Sequence, residues 1–238
     1  MLDMSITTDD THVWLLPCRQ ARTVMDELFV TLDEEERQRA NRYRFEYDRD
    51  RFIASRGAVR QVLAGYLHCT PSEVGFDLTK RGKPRLAERH ATMLRFNVST
   101  SHDWAMLAVT LGREVGIDVE RIDSKRADLG IASHYFAPGE VHALEGMAED
   151  ERLHGFFNCW TRKEAFVKAT GEGLSRPLDS FEVSLAPGQP ASLIRIQGRE
   201  NAVQRWRMAD LAEVPGYASS LVVAGSIGQL RSFMWSPL

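Results

Sequence analysis

The chain has 238 residues, with 30 Lys and Arg against 33 Asp and Glu for a net charge of −3, and is 43% hydrophobic and 26% charged. These are ordinary globular values, which argue against disorder and against a bulk electrostatic affinity for nucleic acid. Cys18, Cys69 and Cys159 form no CxxC pair, so neither a disulfide framework nor a thiolate zinc site is expected, and a reducing cytosol suits them.

The first ten residues carry Asp3, Asp9 and Asp10 and no basic stretch, unlike a signal peptide. No apolar run reaches the roughly 18 residues of a membrane span. A soluble cytoplasmic protein is the expectation. Residues 11–17 read as a short apolar strand ended by Pro17. From Asp33 to about Leu67 the pattern turns helical: Asp33 and Glu36 have capping-box spacing, and Phe52, Ala58, Val59, Val62, Leu63 and Tyr66 recur in steps of three and four. Pro71, Gly75 and Arg81-Gly82-Lys83-Pro84 are turn chemistry. Phe96–Ser99, Trp104–Leu111 and Gly116–Arg121 read as strands. A helical region from about Ser124 to Gly171 is broken at Ala137-Pro138-Gly139, and late strands are expected near residues 181–185, 193–197 and 221–224.

Each half thus runs strand, helices, strands, in an α+β arrangement. This suggests a pseudo-twofold duplication of two similar subdomains, 1–114 and 115–238, packed tightly without a flexible linker.

Two constellations carry chemistry. In Gly116-Ile117-Asp118-Val119-Glu120, strand alternation puts both carboxylates on one face. That is either the solvated face of an edge strand or a site for a hard cation such as Mg²⁺. In Trp160-Thr161-Arg162-Lys163-Glu164-Ala165-Phe166-Val167-Lys168, helical spacing puts Glu164 and Lys168 on one face. That is either a surface ion pair or part of the same site.

Taken together and in this order, the two resemble the paired signature of the 4′-phosphopantetheinyl transferases, in the monomeric, surfactin-synthetase-activating class. Gly82-Lys83-Pro84, Phe96-Asn97-Val98-Ser99, Tyr135-Phe136-Ala137-Pro138-Gly139-Glu140 and Gly171-Glu172-Gly173-Leu174-Ser175-Arg176-Pro177-Leu178 resemble further segments of that family. The resemblance implies a fold of two similar halves with the active-site cleft between them. It implies Mg²⁺-dependent transfer of the phosphopantetheine arm of coenzyme A to a serine of an apo acyl or peptidyl carrier protein, releasing adenosine 3′,5′-bisphosphate. It makes Asp118, Glu120 and Glu164 the metal ligands and Glu164 the base. Asp118 and Lys168 belong with the catalytic set, and Lys168 contacts the leaving phosphate. Lys163 assists at the pyrophosphate or the pantetheine arm. Arg39, Arg51, Arg56, Lys83, Pro84, Ser99 and Thr100 bind the coenzyme.

The stretch from Asp33 to Arg60 holds eight arginines against seven acids, so Arg37, Arg42, Arg44 and Arg49 read as charged helix surface and Arg60 as structural. Tyr135 and Phe136 are either walls of a carrier-docking groove or core. The family's usual histidine after Ser99 is replaced by Thr100, and His102 could take over its phosphate contact only if the loop bends. His102 is therefore read as a bystander. A phosphotransferase acting on another pyrophosphate, a non-catalytic coenzyme-binding protein and a hydrolase using Ser99 or Cys159 are the rival readings. No Walker A or GxSxG motif supports the first or the last.

Overall fold

Two sheets and two long helices account for the architecture of the computed structural model, which describes residues 4–237. Met1, Leu2 and Asp3, at the start of the N-terminal stretch discussed above, lie outside the described residues.

In the first half, β1 (Asp10–Pro17) is almost wholly buried. The helical stretch after it is divided in three. α1 (Arg22–Thr31) precedes the expected start. α2 (Glu34–Asn41) begins at a true capping box, in which the Glu36 N–H donates to Asp33 Oδ1 at 2.9 Å and the Asp33 N–H donates to Glu36 Oε2 at 3.1 Å. Phe45, with extended φ and ψ, breaks the run before α3 (Glu46–Leu67), whose stripe of Ala58, Val59, Val62, Leu63 and Tyr66 is buried. β2 (Phe76–Leu78) and β3 (Pro84–Leu86) form a hairpin around Gly82, whose φ of +83° suits glycine. β4 (Leu94–Ser101) and β5 (Trp104–Leu111) pair antiparallel with Ser101 opposite Trp104, leaving His102 and Asp103 as the turn.

In the second half, β6 (Val115–Arg121) leads to α4 (Leu129–Tyr135), α5 (Pro138–Glu145) and α6 (Glu149–Thr170), with the break at Ala137-Pro138 where the sequence puts it. β7 (Phe181–Val183), β8 (Leu193–Ile196), β9 (Trp206–Asp210), β10 (Tyr217–Ala224) and β11 (Gln229–Met234) complete the chain.

The two main sheets are β11-β1-β5-β4 and β6-β10-β9, beside the two-stranded pairs β2-β3 and β7-β8. β11 runs parallel to β1, with Phe233 stacked on Trp14 at 4.8 Å between ring centroids, so residues 229–234 of the 115–238 half pack with the first half. α3 caps one sheet through a core that includes Ile53, Leu63, Phe96 and Leu107, and α6 caps the other through Phe166, Phe181 and Val222. Val13, Leu15, Met106, Ile117, Val119 and Leu221 form a third apolar layer that joins the two sheets. No helix among the described residues is long and apolar enough to cross a membrane.

Candidate functional site

β4 and β6 lie side by side but belong to different sheets. Side chains join them instead of a main-chain ladder. The Ile117 N–H donates to Asn97 Oδ1 at 2.8 Å. Ser99 Oγ donates to Asp118 Oδ1 at 2.7 Å, and Ser101 Oγ donates to Glu120 Oε2 at 2.8 Å. Strand alternation explains both partners: Asn97, Ser99 and Ser101 share one face of β4, while Asp118 and Glu120 share one face of β6, with Ile117 and Val119 turned into the core.

Gly116 brings α6 onto this seam. A Cβ at that position would lie 2.0 Å from Ala165 O and 2.3 Å from Ala169 N, so only glycine admits the helix backbone directly against the strand. α6 then delivers Glu164 and Lys168 one turn apart. Lys168 Nζ sits 2.6 Å from Asp118 Oδ1 and 2.9 Å from Ser99 Oγ. The lysine therefore pairs with Asp118 on the neighbouring strand.

The seam is electrostatically loaded. Asp118 is 2% exposed, and its Oδ2 is buried without a hydrogen-bond partner. Burial, and next the charge of Asp118, push the Glu120 carboxyl above its usual range. Burial followed by the charges of Asp118 and Glu120 raise Glu164, with Lys168 opposing. A cation would relieve all three. The carboxylates are not yet a closed cage: among the described residues, no three His, Cys, Asp or Glu side chains gather closely enough to hold a metal ion by themselves.

Glu164 and Lys168 face a cleft of about 580 Å³, walled also by Lys83, Pro84, Tyr135 and Trp160. A second crevice of about 470 Å³ carries Arg39, Arg56 and Thr100, together with Arg42 and the acids Asp33, Glu35 and Glu36, and meets the cleft at Pro84 and Val98. Arg39 is exposed, its guanidinium 5.0 Å over the Phe52 ring. Arg56 pairs with Glu36 and lies 4.1 Å over Phe76. Arg60 is buried on Glu36 at 2.7 Å and Asp33 at 2.6 Å, as a structural arginine should be.

Other expected residues are placed or engaged differently. Arg51 pairs with Asp48 at 3.2 Å and lines a separate crevice with Cys18 and His102. Lys83 spends its ammonium on Val115 O at 3.1 Å and on Ala169 O and Glu114 at 3.4 Å. Burial lowers its pKa. Ser99 faces Asp118, away from the arginine crevice, because it is on the opposite face of β4 from Thr100. His102 sits in the β4–β5 turn with φ of +49°, beyond the end of the strand, and the loop carries it away from the Thr100 crevice.

Lys163 requires the firmest correction. It is 0% exposed, and its ammonium bonds Glu140 at 2.7 Å, Leu178 O at 2.8 Å and Phe181 O at 2.6 Å. Glu140 is equally engaged, accepting from the N–H groups of Ala137 and Val183, both at 2.8 Å. Two of the motif segments thus meet in a buried structural ion pair. Tyr135 lines the cleft, whereas Phe136, at 2% exposed, packs on Phe156 in the core. The sequence assigns nothing to Ser101 and reads Trp160 only as part of the apolar side of its helix, whereas it lines the cleft. For Ser101 the signal was present in the alternating polar residues of Asn97-Val98-Ser99-Thr100-Ser101.

Residues 114–222 match the family model of the 4′-phosphopantetheinyl transferase superfamily, and residues 19–112 match a model of the 4′-phosphopantetheinyl transferase N-terminal region. The chain is 34% identical over 236 residues to the 4′-phosphopantetheinyl transferase HetI of Nostoc sp. (strain PCC 7120), covering 99% of this chain and 93% of that one. It is 32% identical over 154 residues to the 4′-phosphopantetheinyl transferase Sfp of Bacillus subtilis (strain 168), covering 65% and 66%. Among solved structures it resembles the holo-[acyl-carrier-protein] synthase of Thermotoga maritima, at 22% identity and a TM-score of 0.39, over 48% of this chain and 63% of that one.

Proposed function

The chain belongs to the 4′-phosphopantetheinyl transferase superfamily and is a transferase; we propose that it moves the phosphopantetheine arm of coenzyme A onto a serine of an apo acyl or peptidyl carrier protein, with Mg²⁺, releasing adenosine 3′,5′-bisphosphate. The observation that carries this reading is the seam where Lys168 pairs with Asp118, with Glu120 on the same strand face and Glu164 one helical turn from Lys168, beside a cleft that joins the crevice of Arg39 and Arg56.

Asp118, Glu120 and Glu164 would hold Mg²⁺ together with the pyrophosphate. The unpartnered Asp118 Oδ2 and the carboxylates' mutual repulsion fit a hard cation with oxygen ligands. When bound, the ion neutralises charge on the pyrophosphate. Lys168, within the cleft, stabilises the leaving phosphate. Glu164 accepts the proton of the carrier serine, directly or through water, and its raised pKa makes it a stronger base. The nucleotide end of the coenzyme lies in the crevice against Arg39, Arg56 and Thr100, and the arm crosses Pro84 into the cleft. Both walls of the cleft come from one chain, which supports a working monomer in solution.

The decisive experiment incubates the protein with coenzyme A, Mg²⁺ and apo carrier proteins of both kinds, then measures intact carrier mass. A gain of one phosphopantetheine arm, abolished by EDTA, is expected. No gain on any carrier refutes the reading.

A further inference from the structure

The polar face of β4 has no part in the chemistry above. We propose that Ser101, seconded by Ser99, is a positioning residue that aims the carboxylates of the metal site; this rests on the transferase reading.

Ser101 is 5% exposed, and its hydroxyl has two close partners, with His102 Nδ1 further off at 3.4 Å. The Arg121 N–H donates to it at 3.1 Å, and it donates to Glu120 Oε2 at 2.8 Å. A backbone N–H can only donate, and the carboxylate is both nearer and a stronger acceptor than the His102 nitrogen, so the hydroxyl proton goes to Glu120. Ser99 repeats the arrangement: the Lys168 ammonium donates to it at 2.9 Å, and it donates to Asp118 Oδ1 at 2.7 Å. Each hydroxyl is thus fixed by a donor on one side and spends its own proton on a carboxylate on the other.

The partners of each carboxylate converge on one oxygen. Ser99 and Lys168 both address Asp118 Oδ1, while Oδ2 is buried with no partner. Ser101 and Arg126 both address Glu120 Oε2, the arginine at 3.5 Å. Holding one oxygen and sparing the other is what a ligating carboxylate needs from its surroundings. The serines are two residues apart on β4 and the carboxylates two apart on β6, so both contacts repeat at the same strand pitch of about 6–7 Å. Glu120 has one more side-chain torsion than Asp118 and is only half-buried, so its aim depends more on its hydroxyl partner. Ser101 is therefore the residue to test.

Mn²⁺ serves as the probe, titrated by electron paramagnetic resonance in the presence of saturating coenzyme A. Ser101→Ala should raise the Mn²⁺ Kd by about 10- to 100-fold. Ser101→Thr, which restores the hydroxyl, should return it to within threefold of the parent. If Ser101→Ala does not fold, Ser101→Cys, which keeps the shape but donates poorly, is read the same way. A merely structural hydroxyl would lower the thermal midpoint yet leave Mn²⁺ affinity within twofold, and that outcome overturns the proposal. Asp118→Ala separates the two levels. If it loses Mn²⁺ while Ser101→Ala does not, only the positioning role fails. If Asp118→Ala itself keeps parental Mn²⁺ affinity, the metal site and the positioning role fall together.

Discussion

Replacing Gly116 with alanine tests whether the site depends on the close approach of β6 to α6. The added Cβ would lie 2.0 Å from Ala165 O and 2.3 Å from Ala169 N. Both are backbone atoms in the last turns of a packed helix, so no side chain can swing aside. Reaching an ordinary contact of about 3.4 Å requires strand and helix to separate by more than 1 Å. Overpacking of this kind typically costs about 1–3 kcal/mol. The upper end is expected here, because β6 also carries Ile117 and Val119 in the layer between the sheets. The same movement stretches the 2.6 Å Lys168–Asp118 contact and shifts Glu164 relative to Asp118. A displacement of about 1 Å in a reacting constellation can cost roughly 10²-fold in rate. Urea denaturation should therefore show Gly116→Ala destabilised by about 3 kcal/mol, and carrier-modification kinetics should show kcat/KM reduced about 100-fold. A variant within about 0.5 kcal/mol of the parent and within threefold in kcat/KM would refute the reasoning, because the close approach would then matter neither to the fold nor to the chemistry.

Glu164→Gln should lower kcat at least about 100-fold, as expected for loss of a general base, without lowering the thermal midpoint. Burial and the neighbouring carboxylates already disfavour the charge it removes, so a large drop in the midpoint would contradict this account. Lys163→Met should cost about 3–5 kcal/mol in urea denaturation, because it strands the buried Glu140 carboxylate. The KM for coenzyme A should change less than threefold, and a large KM rise at full stability would return Lys163 to the coenzyme site. Burial pushes the Cys18 thiol up to about 12 from its usual 9. The folded state thus holds the proton more tightly: this contribution is intact below pH 9 and is lost as pH climbs toward 12. Urea midpoints measured across that window should fall less steeply in Cys18→Ala, and an unchanged slope would count against it.

Much of this protein was legible in its sequence because the rules involved are short-range. The capping box at Asp33 and Glu36, the break at Ala137-Pro138 and the alternation of Gly116-Ile117-Asp118-Val119-Glu120 depend on neighbours within about four residues. So does the pairing of Glu164 with Lys168 on one side of α6, since four residues turn a helix through about 40° beyond a full circle. By the same count Lys163 lies about 140° from Lys168, so the two lysines leave α6 on different sides. Which of them faced the cleft was decided only when β6 packed on one side of α6 and Glu140 on the other. Alternation likewise put Ser99 and Ser101 on one face of β4. That this face meets Asp118 and Glu120, and not the crevice of Arg39 and Arg56, follows from a strand lying alongside in a different sheet. The short β9 and the return of β11 to the first sheet have the same origin. Strand pairing between residues far apart in the chain is set by the surfaces that remain to be covered once the helices have packed, and no local pattern in either strand records it.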